Sequence, residues 1–342
     1  MKLLITGGCG FLGANLAAEG IRRGMEVMVF DNFSRVGSET NREWLNSVGP
    51  FHLRHGDVRS QSDVEEVVRT FRPEMIFHLA GQVAMTTSLE NPRMDFEINA
   101  LGTLNVLESI RQHAPECGLI YSSTNKVYGD LNQFHYDETD LRYVCPDRPD
   151  GFDEATQFDS HSPYGCSKGT ADLYVLDYGR MFGLATAVFR HSSMYGGRQF
   201  ATEDQGWIGW FCGQSVRIQR GEIASVQISG NGKQVRDVLH ADDMISLYFR
   251  AAERIEAISG QAFNVGGGMA NSLSLRELFL LLEELQGIKI PFEMGPVRES
   301  DQKIFVADLK KAGAALGWQP KTDARTGISS MLAWSRALLG EA

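Results

Sequence analysis

The chain has 342 residues, and its 33 Lys and Arg against 43 Asp and Glu give a formal net charge of −10. An acidic chain without a basic run is not expected to bind nucleic acid or an anionic membrane. Its five cysteines form no C-x-x-C motif, so we expect no disulfide framework and no metal site. Without a long apolar run or a signal-peptide pattern, the sequence predicts a cytoplasmic protein with no membrane span.

The first half of the sequence alternates short apolar strands with helices. Strands are predicted at residues 3–6, 26–30, 51–55, 75–79, 118–122 and 186–190. Helices are predicted at residues 14–23, 62–71 and 96–112 and in the stretch that Tyr164 opens. Short apolar strands that alternate with helices predict a parallel sheet covered on both faces, the doubly wound α/β or Rossmann architecture.

The pattern loosens after about Tyr195. Strands at 235–238 and 262–265 are expected to return to the main sheet, and helices are predicted at 274–285 and 327–339. A chain of this length usually needs more than one hydrophobic core. We therefore expect residues 1–192 and 233–267 to form the Rossmann domain. Residues 193–232 and 268–342 would form a smaller, discontinuous C-terminal α/β lobe that binds the substrate.

A glycine-rich turn follows the first predicted strand, with glycines at 7, 10 and 13. Gly7 would allow a tight turn, Gly10 the close approach of a pyrophosphate, and Gly13 close packing of helix on sheet. Asp31 ends the second strand, where an acid binds the ribose hydroxyls of a dinucleotide. An acid there favours NAD over NADP, although Arg35 could instead accommodate a 2′-phosphate.

Tyr164 and Lys168 are four residues apart and would share one face of a helix. An ammonium beside the phenol should lower the tyrosine pKa from its usual value near ~10, which would make Tyr164 a general base. Thr124 follows the fifth strand at the edge where open sheets bind ligands, and its hydroxyl could orient an alcohol. Together the three side chains predict proton transfer during oxidation of a secondary alcohol by NAD.

The motifs at residues 6–13, 78–81, 122–129, 164–168 and 236–240 resemble those of the extended short-chain dehydrogenase/reductase family of nucleotide-sugar enzymes. The strings at 81–88, 122–130, 190–199 and 204–211 resemble those members that invert C2 of a CDP-linked hexose. The resemblance implies oxidation of C2 to a ketone by bound NAD, turning of the keto sugar and its reduction on the other face. It also implies a homodimer or homotetramer.

The resemblance implies two sets of contacts, in addition to the catalytic residues Thr124, Tyr164 and Lys168. The cofactor set is Gly7, Gly10, Phe11, Leu12, Asp31, Asn32, Asp57, Val58, Leu79, Ala80, Gly81, Asn99, Ser122, Tyr164, Lys168 and His191. A packed histidine remains the alternative for His191. The substrate set is Gln82, Thr124, Ser193, Arg198, Arg236, Arg298 and Asp301, with Arg236 and Arg298 expected to clamp the diphosphate.

Departures from the family pattern separate this chain from its relatives. Asn125 and Lys126 stand where the dehydratases carry Asp and Glu, so loss of water from the sugar is not expected. Ser193 stands where many 4-epimerases carry Asn. The long segment 130–163 could form a lid over the sugar or a surface excursion packed by its own aromatics. A 4-epimerase, a C2-epimerase of another nucleotide sugar and a catalytically silent NAD-binding protein remain the alternatives.

Overall fold

The computed structural model describes residues 1–298 and 300–340. Its strands in chain order are β1 (Lys2–Thr6), β2 (Glu26–Asp31), β3 (His52–His55), β4 (Met75–His78), β5 (Gly118–Thr124), β6 (Asp137–Glu138), β7 (Tyr143–Val144), β8 (Thr186–His191), β9 (Ser193–Tyr195), β10 (Val226–Ser229), β11 (Val235–His240), β12 (Gln261–Val265), β13 (Ser272–Ser274), β14 (Phe292–Gly295) and β15 (Ile304–Phe305).

The helices are α1 (Phe11–Arg22), α2 (Ser38–Val48), α3 (Gln61–Phe71), α4 (Met85–Glu90), α5 (Pro92–Phe96), α6 (Gly102–His113), α7 (Pro163–Phe182), α8 (Trp207–Gln219), α9 (Ala241–Ala252), α10 (Leu275–Gln286), α11 (Lys310–Leu316) and α12 (Ala324–Leu338). A π-helical segment, Glu97–Leu101, joins α5 to α6, and short 3₁₀ turns lie at Asn125–Tyr128, Ile255–Ile258 and Met269–Asn271. Among the residues described, no helix is long and apolar enough to cross a membrane.

Seven parallel strands form the main sheet in the order β12-β8-β5-β4-β1-β2-β3. Strands β4 and β8 are buried along their whole length, as expected of a sheet with helices on both faces. The strand order reverses between β1 and β4, and the carboxyl ends of strands at such a point are where doubly wound folds bind ligands. The predicted fold class is therefore confirmed.

Strand β11 does not return to the main sheet, so the prediction for residues 235–238 is wrong. It pairs in parallel with β9 and β15 and antiparallel with β13. The Asp237 carboxylate within it accepts hydrogen bonds from Gly268 N at 2.9 Å and Ala307 N at 3.2 Å, which ties the strand to its own sheet. The other returning strand, predicted at 262–265, is confirmed as β12, beside β8.

A separate apolar cluster fills the C-terminal part of the molecule, where α8, α10 and α12 pack around β10. Helix α10 begins with a capping box between Ser274 and Glu277, which satisfies two otherwise unpaired backbone donors. Within the segment 130–163, Phe152 stacks on Phe305 of β15 and packs edge-on against Phe134. The segment is thus packed through its own aromatics against this second sheet. The division of the chain into two lobes at the stated boundaries stays a prediction.

Candidate active site

The glycine-rich turn between β1 and α1 is as tight as its sequence requires. Gly7 has a φ of +68°, and a Cβ there would lie 2.8 Å from Ala80 N. A Cβ on Gly13 would lie 2.2 Å from Gly7 O, so helix and turn touch backbone to backbone. Gly10 caps α1, whose first residues Phe11 and Leu12 direct free N–H groups toward the sheet edge. This turn can cradle a phosphate close to the backbone.

Asp31 is buried at the end of β2 and holds the glycine-rich turn in place. Its Oδ2 accepts from Cys9 N at 2.8 Å, and its Oδ1 accepts from Phe33 N at 2.7 Å. Burial raises the pKa of Asp31, and these backbone hydrogen bonds oppose the rise. Nearby, Asn32 donates to Asp57 Oδ2 at 3.0 Å, and the Arg59 hydrogen bond lowers the pKa of Asp57 to about 2.

The remaining predicted cofactor residues lie along the same sheet edge. Thr6 Oγ1 accepts from the backbone N–H groups of Leu79 and Ala80, each at 3.2 Å, which fixes the turn after β4. Val58 is buried, and its carbonyl accepts from Asn105 at 2.9 Å. The first turns after β1 to β4 and the end of β5 therefore converge at the point where the strand order reverses.

Asn99, in the π-helical segment, organises the loop after β4. Its Oδ1 accepts from Gln82 N at 2.9 Å, while its Nδ2 donates to Gln82 O at 3.1 Å and to Ser167 Oγ at 3.0 Å. A Cβ on Gly81 would lie 3.0 Å from Asn99 Oδ1, so a larger residue there would press on the Asn99 side chain. The Gln82 side chain donates to Ala84 O at 2.6 Å and so braces its own loop.

Helix α7 and strand β5 bring the predicted catalytic side chains together. Ser162 caps α7 by accepting from Gly165 N at 3.1 Å, which places Tyr164 and Lys168 in the first two turns. Lys168 Nζ donates to Ser122 O, and it lies 4.3 Å from the centroid of the Tyr121 ring. Thr124 ends β5, two residues beyond Ser122, and is buried.

The electrostatics of this pair differ from the sequence prediction. Burial raises the pKa of Tyr164 to about 12, and a hydrogen bond with the Thr124 side chain opposes the rise. Burial lowers the pKa of Lys168 to about 7, against the attraction of Asp95 and Asp172. The expectation that Lys168 lowers the Tyr164 pKa is therefore wrong for the cofactor-free chain, because desolvation dominates and the ammonium is directed at Ser122 O and the Tyr121 ring.

His191 ends β8 as a packed histidine. Its Nε2 lies 2.9 Å from the Tyr248 hydroxyl, and the two rings stack with their centroids 5.8 Å apart. Burial lowers the pKa of His191 to about 3, so the ring is neutral. The structure therefore shows the packed histidine that the sequence analysis gave as the alternative, and the contact of His191 with the cofactor stays a prediction.

A cavity of about 680 Å³ opens beside Tyr164. Its lining includes four of the predicted substrate residues, Ser193, Arg236, Arg298 and Asp301. Arg236 Nη2 donates to Asp301 Oδ1 at 2.7 Å, and Arg298 Nε donates to Ser229 Oγ at 3.0 Å. Trp207, Trp210 and Lys126 also line the cavity, and no residue of the segment 130–163 does. The sequence analysis treated Lys126 only as a departure from the dehydratases.

The other three predicted substrate residues, Thr124, Arg198 and Gln82, are not among the residues that line this cavity. The Arg198 guanidinium lies between two indoles, 4.3 Å from the Trp44 ring and 4.7 Å from the Trp334 ring. Its backbone has a φ of +70°, and its carbonyl accepts from Asn41 at 3.2 Å. In this structure Arg198 therefore joins α2 to α12 instead of facing a sugar. In the described part of the chain, no group of three His, Cys, Asp or Glu residues is arranged to hold a metal ion.

The family model described as GDP-mannose 4,6 dehydratase matches residues 4–331, almost the whole chain. The chain belongs to this family. Its members are extended short-chain dehydrogenase/reductases, the NAD-dependent epimerases and dehydratases of nucleotide sugars. The expected family is therefore confirmed.

Individual relatives support the same assignment. The chain is 60% identical over 338 residues to the CDP-paratose 2-epimerase of Salmonella typhi, a match that covers 99% of this chain and 100% of that protein. The UDP-glucose 4-epimerase of Thermotoga maritima, solved with UDP-glucose, is 28% identical with a TM-score of 0.83, over 99% of this chain and 100% of that one. The Thermus thermophilus UDP-glucose 4-epimerase, in complex with NAD, is 26% identical with a TM-score of 0.80, over 98% and 99%.

Proposed function

We propose that the chain catalyses the NAD-dependent epimerisation at C2 of a CDP-linked hexose, as in the interconversion of CDP-paratose and CDP-tyvelose. The observation that carries the proposal is the 60% identity, over essentially both full lengths, to a protein of that activity. In this reaction C2 is oxidised to a ketone, the keto sugar turns over in the pocket, and the hydride returns to its opposite face. No net oxidation occurs.

The residues present fit NAD. The turn is tight, because a Cβ on Gly7 or Gly13 would collide with backbone, and the absence of a side chain at Gly10 lets a pyrophosphate approach the backbone closely. Asp31 is buried at the position from which an acid reaches a ribose, and its charge disfavours a 2′-phosphate. NAD, when bound, supplies the acceptor and later the donor of the hydride.

We assign the proton transfers to the residues that β5 and α7 bring together. Tyr164 takes the proton from the C2 hydroxyl and later returns it, and Thr124 holds that hydroxyl by a hydrogen bond. Lys168 adds a positive charge that favours the phenolate once its ammonium turns from Ser122 O toward the cofactor. A positive charge on bound NAD would oppose the rise that burial imposes on the Tyr164 pKa in the free chain.

Dehydration is not supported by the same site. Asn125 Nδ2 donates to Gln302 Oε1 at 2.9 Å, so this side chain is buried in a structural contact. Lys126 presents an ammonium to the cavity where an acid would be needed to protonate a leaving hydroxyl. Asn125 cannot donate a proton to a leaving hydroxyl, and Lys126 does not supply the carboxyl group that the dehydratases carry at this position.

We also propose that the active form is a homodimer or homotetramer that acts in the cytoplasm. The outer face of α7 supports assembly, since Leu173, Tyr174 and Met181 are 55%, 46% and 70% exposed. Exposed apolar groups clustered on one helix commonly mark a protein interface. The five cysteines are free thiols, which suits a reducing compartment.

The direct test is incubation of the purified protein with CDP-paratose, followed by NMR of the sugar. The proposal predicts inversion at C2. A UDP-hexose serves as the comparison substrate, and inversion at its C4 without any C2 inversion of CDP-paratose would contradict the proposal.

A further inference from the structure

One carboxylate in the cavity is shared by two cations. Asp301 Oδ1 lies 2.7 Å from Arg236 Nη2 and 3.7 Å from Lys126 Nζ. Lys126 Nζ also donates to Ser300 O at 3.1 Å, and its side chain is only 17% exposed. Asp301 can neutralise only one of these two cations, although Glu203 and Asp204 also line the cavity.

Lys126 is attached to the catalytic residues through the backbone. Its N–H donates to Thr124 Oγ1 at 3.3 Å, and its carbonyl lies against the start of α7, 2.8 Å from where a Cβ on Gly165 would stand. Lys126 and Tyr164 line the same cavity. Of the cationic residues that line the cavity, Lys126 is therefore the one that lies in the same turn as Thr124, the residue assigned to hold the alcohol.

The chemistry of a sugar nucleotide makes this position significant. In a pyranose, C2 is bonded directly to C1, which carries the diphosphate, whereas C4 lies across the ring. A base that acts on C2 must therefore stand closer to the sugar-bearing phosphate than one that acts on C4. A phosphate held beside Thr124 and Tyr164 would place C2 at the base.

We propose that Lys126 Nζ binds the β-phosphate, which carries the sugar, and so places C2 against Tyr164. The inference rests on the proposed function and deepens it. When the ligand binds, Nζ exchanges Ser300 O and the distant Asp301 oxygen for phosphate oxygens, while Arg236 keeps its hydrogen bond with Asp301. The exchange is favoured because the ammonium gains a charge-assisted hydrogen bond to a phosphate oxygen in place of one to a neutral carbonyl.

The groups around Lys126 make the contact sensitive to pH. Burial, with a smaller contribution from the positive charge of Arg236, lowers the pKa of Lys126 to about 8, and Asp301 and Asp130 oppose the shift. Asp130 is itself paired with His161 at 3.0 Å, and Tyr164 on α7 is protonated at neutral pH. Lys126 therefore loses its charge as the pH rises past about 8 in the free chain, whereas an arginine in its place would keep it.

Calorimetric binding of CDP and CMP to the NAD-loaded protein tests the contact. Lys126→Met should weaken CDP binding by about tenfold to a hundredfold, the size expected for a lost hydrogen bond to a charged group, and change CMP binding less than about twofold. Lys310→Met, at an exposed lysine on α11, is the matched control and should change neither. Equal losses for CDP and CMP, or no loss for CDP, would overturn the proposal.

Lys126→Arg keeps the test valid if the methionine variant folds poorly. Wild-type affinity for CDP, relative to CMP, should fall between pH 7 and pH 9, and that fall should be absent in Lys126→Arg. The same fall in both proteins would overturn the proposal. The binding measurements do not depend on turnover. If Lys126 favours CDP over CMP but the wild type does not invert C2 of CDP-paratose, only the proposed function is refuted.

Discussion

At the scale of single residues, the Tyr164 hydroxyl is the group on which the proposed chemistry depends. Tyr164→Phe removes the proton acceptor but keeps the ring, which is 8% exposed. We expect kcat to fall by about a hundredfold to ten-thousandfold, the usual contribution of a general base, while CDP affinity is unchanged. Steady-state kinetics and calorimetry measure the two effects.

The control for this substitution is Tyr178→Phe on the same helix, whose hydroxyl donates to Glu108 Oε1 at 2.7 Å. It removes an equivalent hydroxyl from a position outside the cavity and should leave kcat unaltered. A Tyr164→Phe protein as active as the wild type would show that Tyr164 is not the base. The proton transfers would then have to be assigned to another group.

Thr124 should govern the pH at which Tyr164 becomes a base. Its hydrogen bond opposes the rise that burial imposes on the Tyr164 pKa. Activity requires the deprotonated form, so kcat rises with pH below the Tyr164 pKa, and Thr124→Val, which removes the opposing hydrogen bond, should move that rise to higher pH. A kcat profile between pH 6 and pH 10 measures the shift, with Thr170→Val on α7 as the control. An unmoved or acid-shifted profile would contradict the prediction.

Sequence reasoning identified the residue types of the site better than their electrostatic state. The spacing of Tyr164 and Lys168 predicted one helix for both, and α7 carries them, with Lys168 Nζ donating to Ser122 O of β5. The direction of the Tyr164 pKa shift could not be predicted, because it depends on how deeply the tertiary fold buries the phenol. The position of Arg198 between two tryptophans distant in sequence was equally invisible to a local pattern.

At the scale of elements, a buried ion pair fixes α7 against β8 and β5. Arg190 on β8 donates to both carboxylate oxygens of Asp172 on α7, each at 2.9 Å, and Ser123 on β5 donates to Asp172 Oδ2 at 2.8 Å. Both ionic side chains are almost fully buried. This contact holds the helix that carries Tyr164 against the strand that carries Thr124.

Arg190→Met should lower the free energy of unfolding by about 3–5 kcal/mol, because it leaves a buried carboxylate unpaired. Replacing both partners, with Asp172→Leu added, should recover much of the loss. Urea denaturation measures both variants, and Arg325→Met, at an exposed ion pair with Glu284, should have no measurable effect. A single variant as stable as the wild type would contradict the structural role of the pair.

Sequence reasoning predicted best the elements whose apolar runs are long enough to distinguish a buried strand from a loop. Strands β4 and β8 are wholly buried and were recognisable as short apolar segments between helices. The sheet that contains β11 was not predicted, because its strands β9 and β15 have only three and two residues and show no periodic pattern. The π-helical segment inside the predicted helix 96–112 was missed because its composition is ordinary for an α-helix.

At the scale of the whole molecule, the outer face of α7 is the surface we expect to bury in assembly. Leu173→Asp combined with Met181→Asp places charges in that surface without touching the cavity. Light scattering coupled to gel filtration should show the wild type at two or four times the chain mass and the double variant at a lower multiple. A wild-type monomer would refute the proposed assembly. If the double variant assembles like the wild type, the interface must lie on another face of the molecule.

The central claim is the transfer of one hydride from C2 of the sugar and back to it. CDP-paratose carrying deuterium at C2 tests this most directly, with proton and deuterium NMR following the nucleotide sugar in ordinary water. We predict that the inverted sugar accumulates with its deuterium retained at C2 and with no net formation of NADH. Exchange of the deuterium with solvent, or the absence of any inversion at C2, would contradict the account.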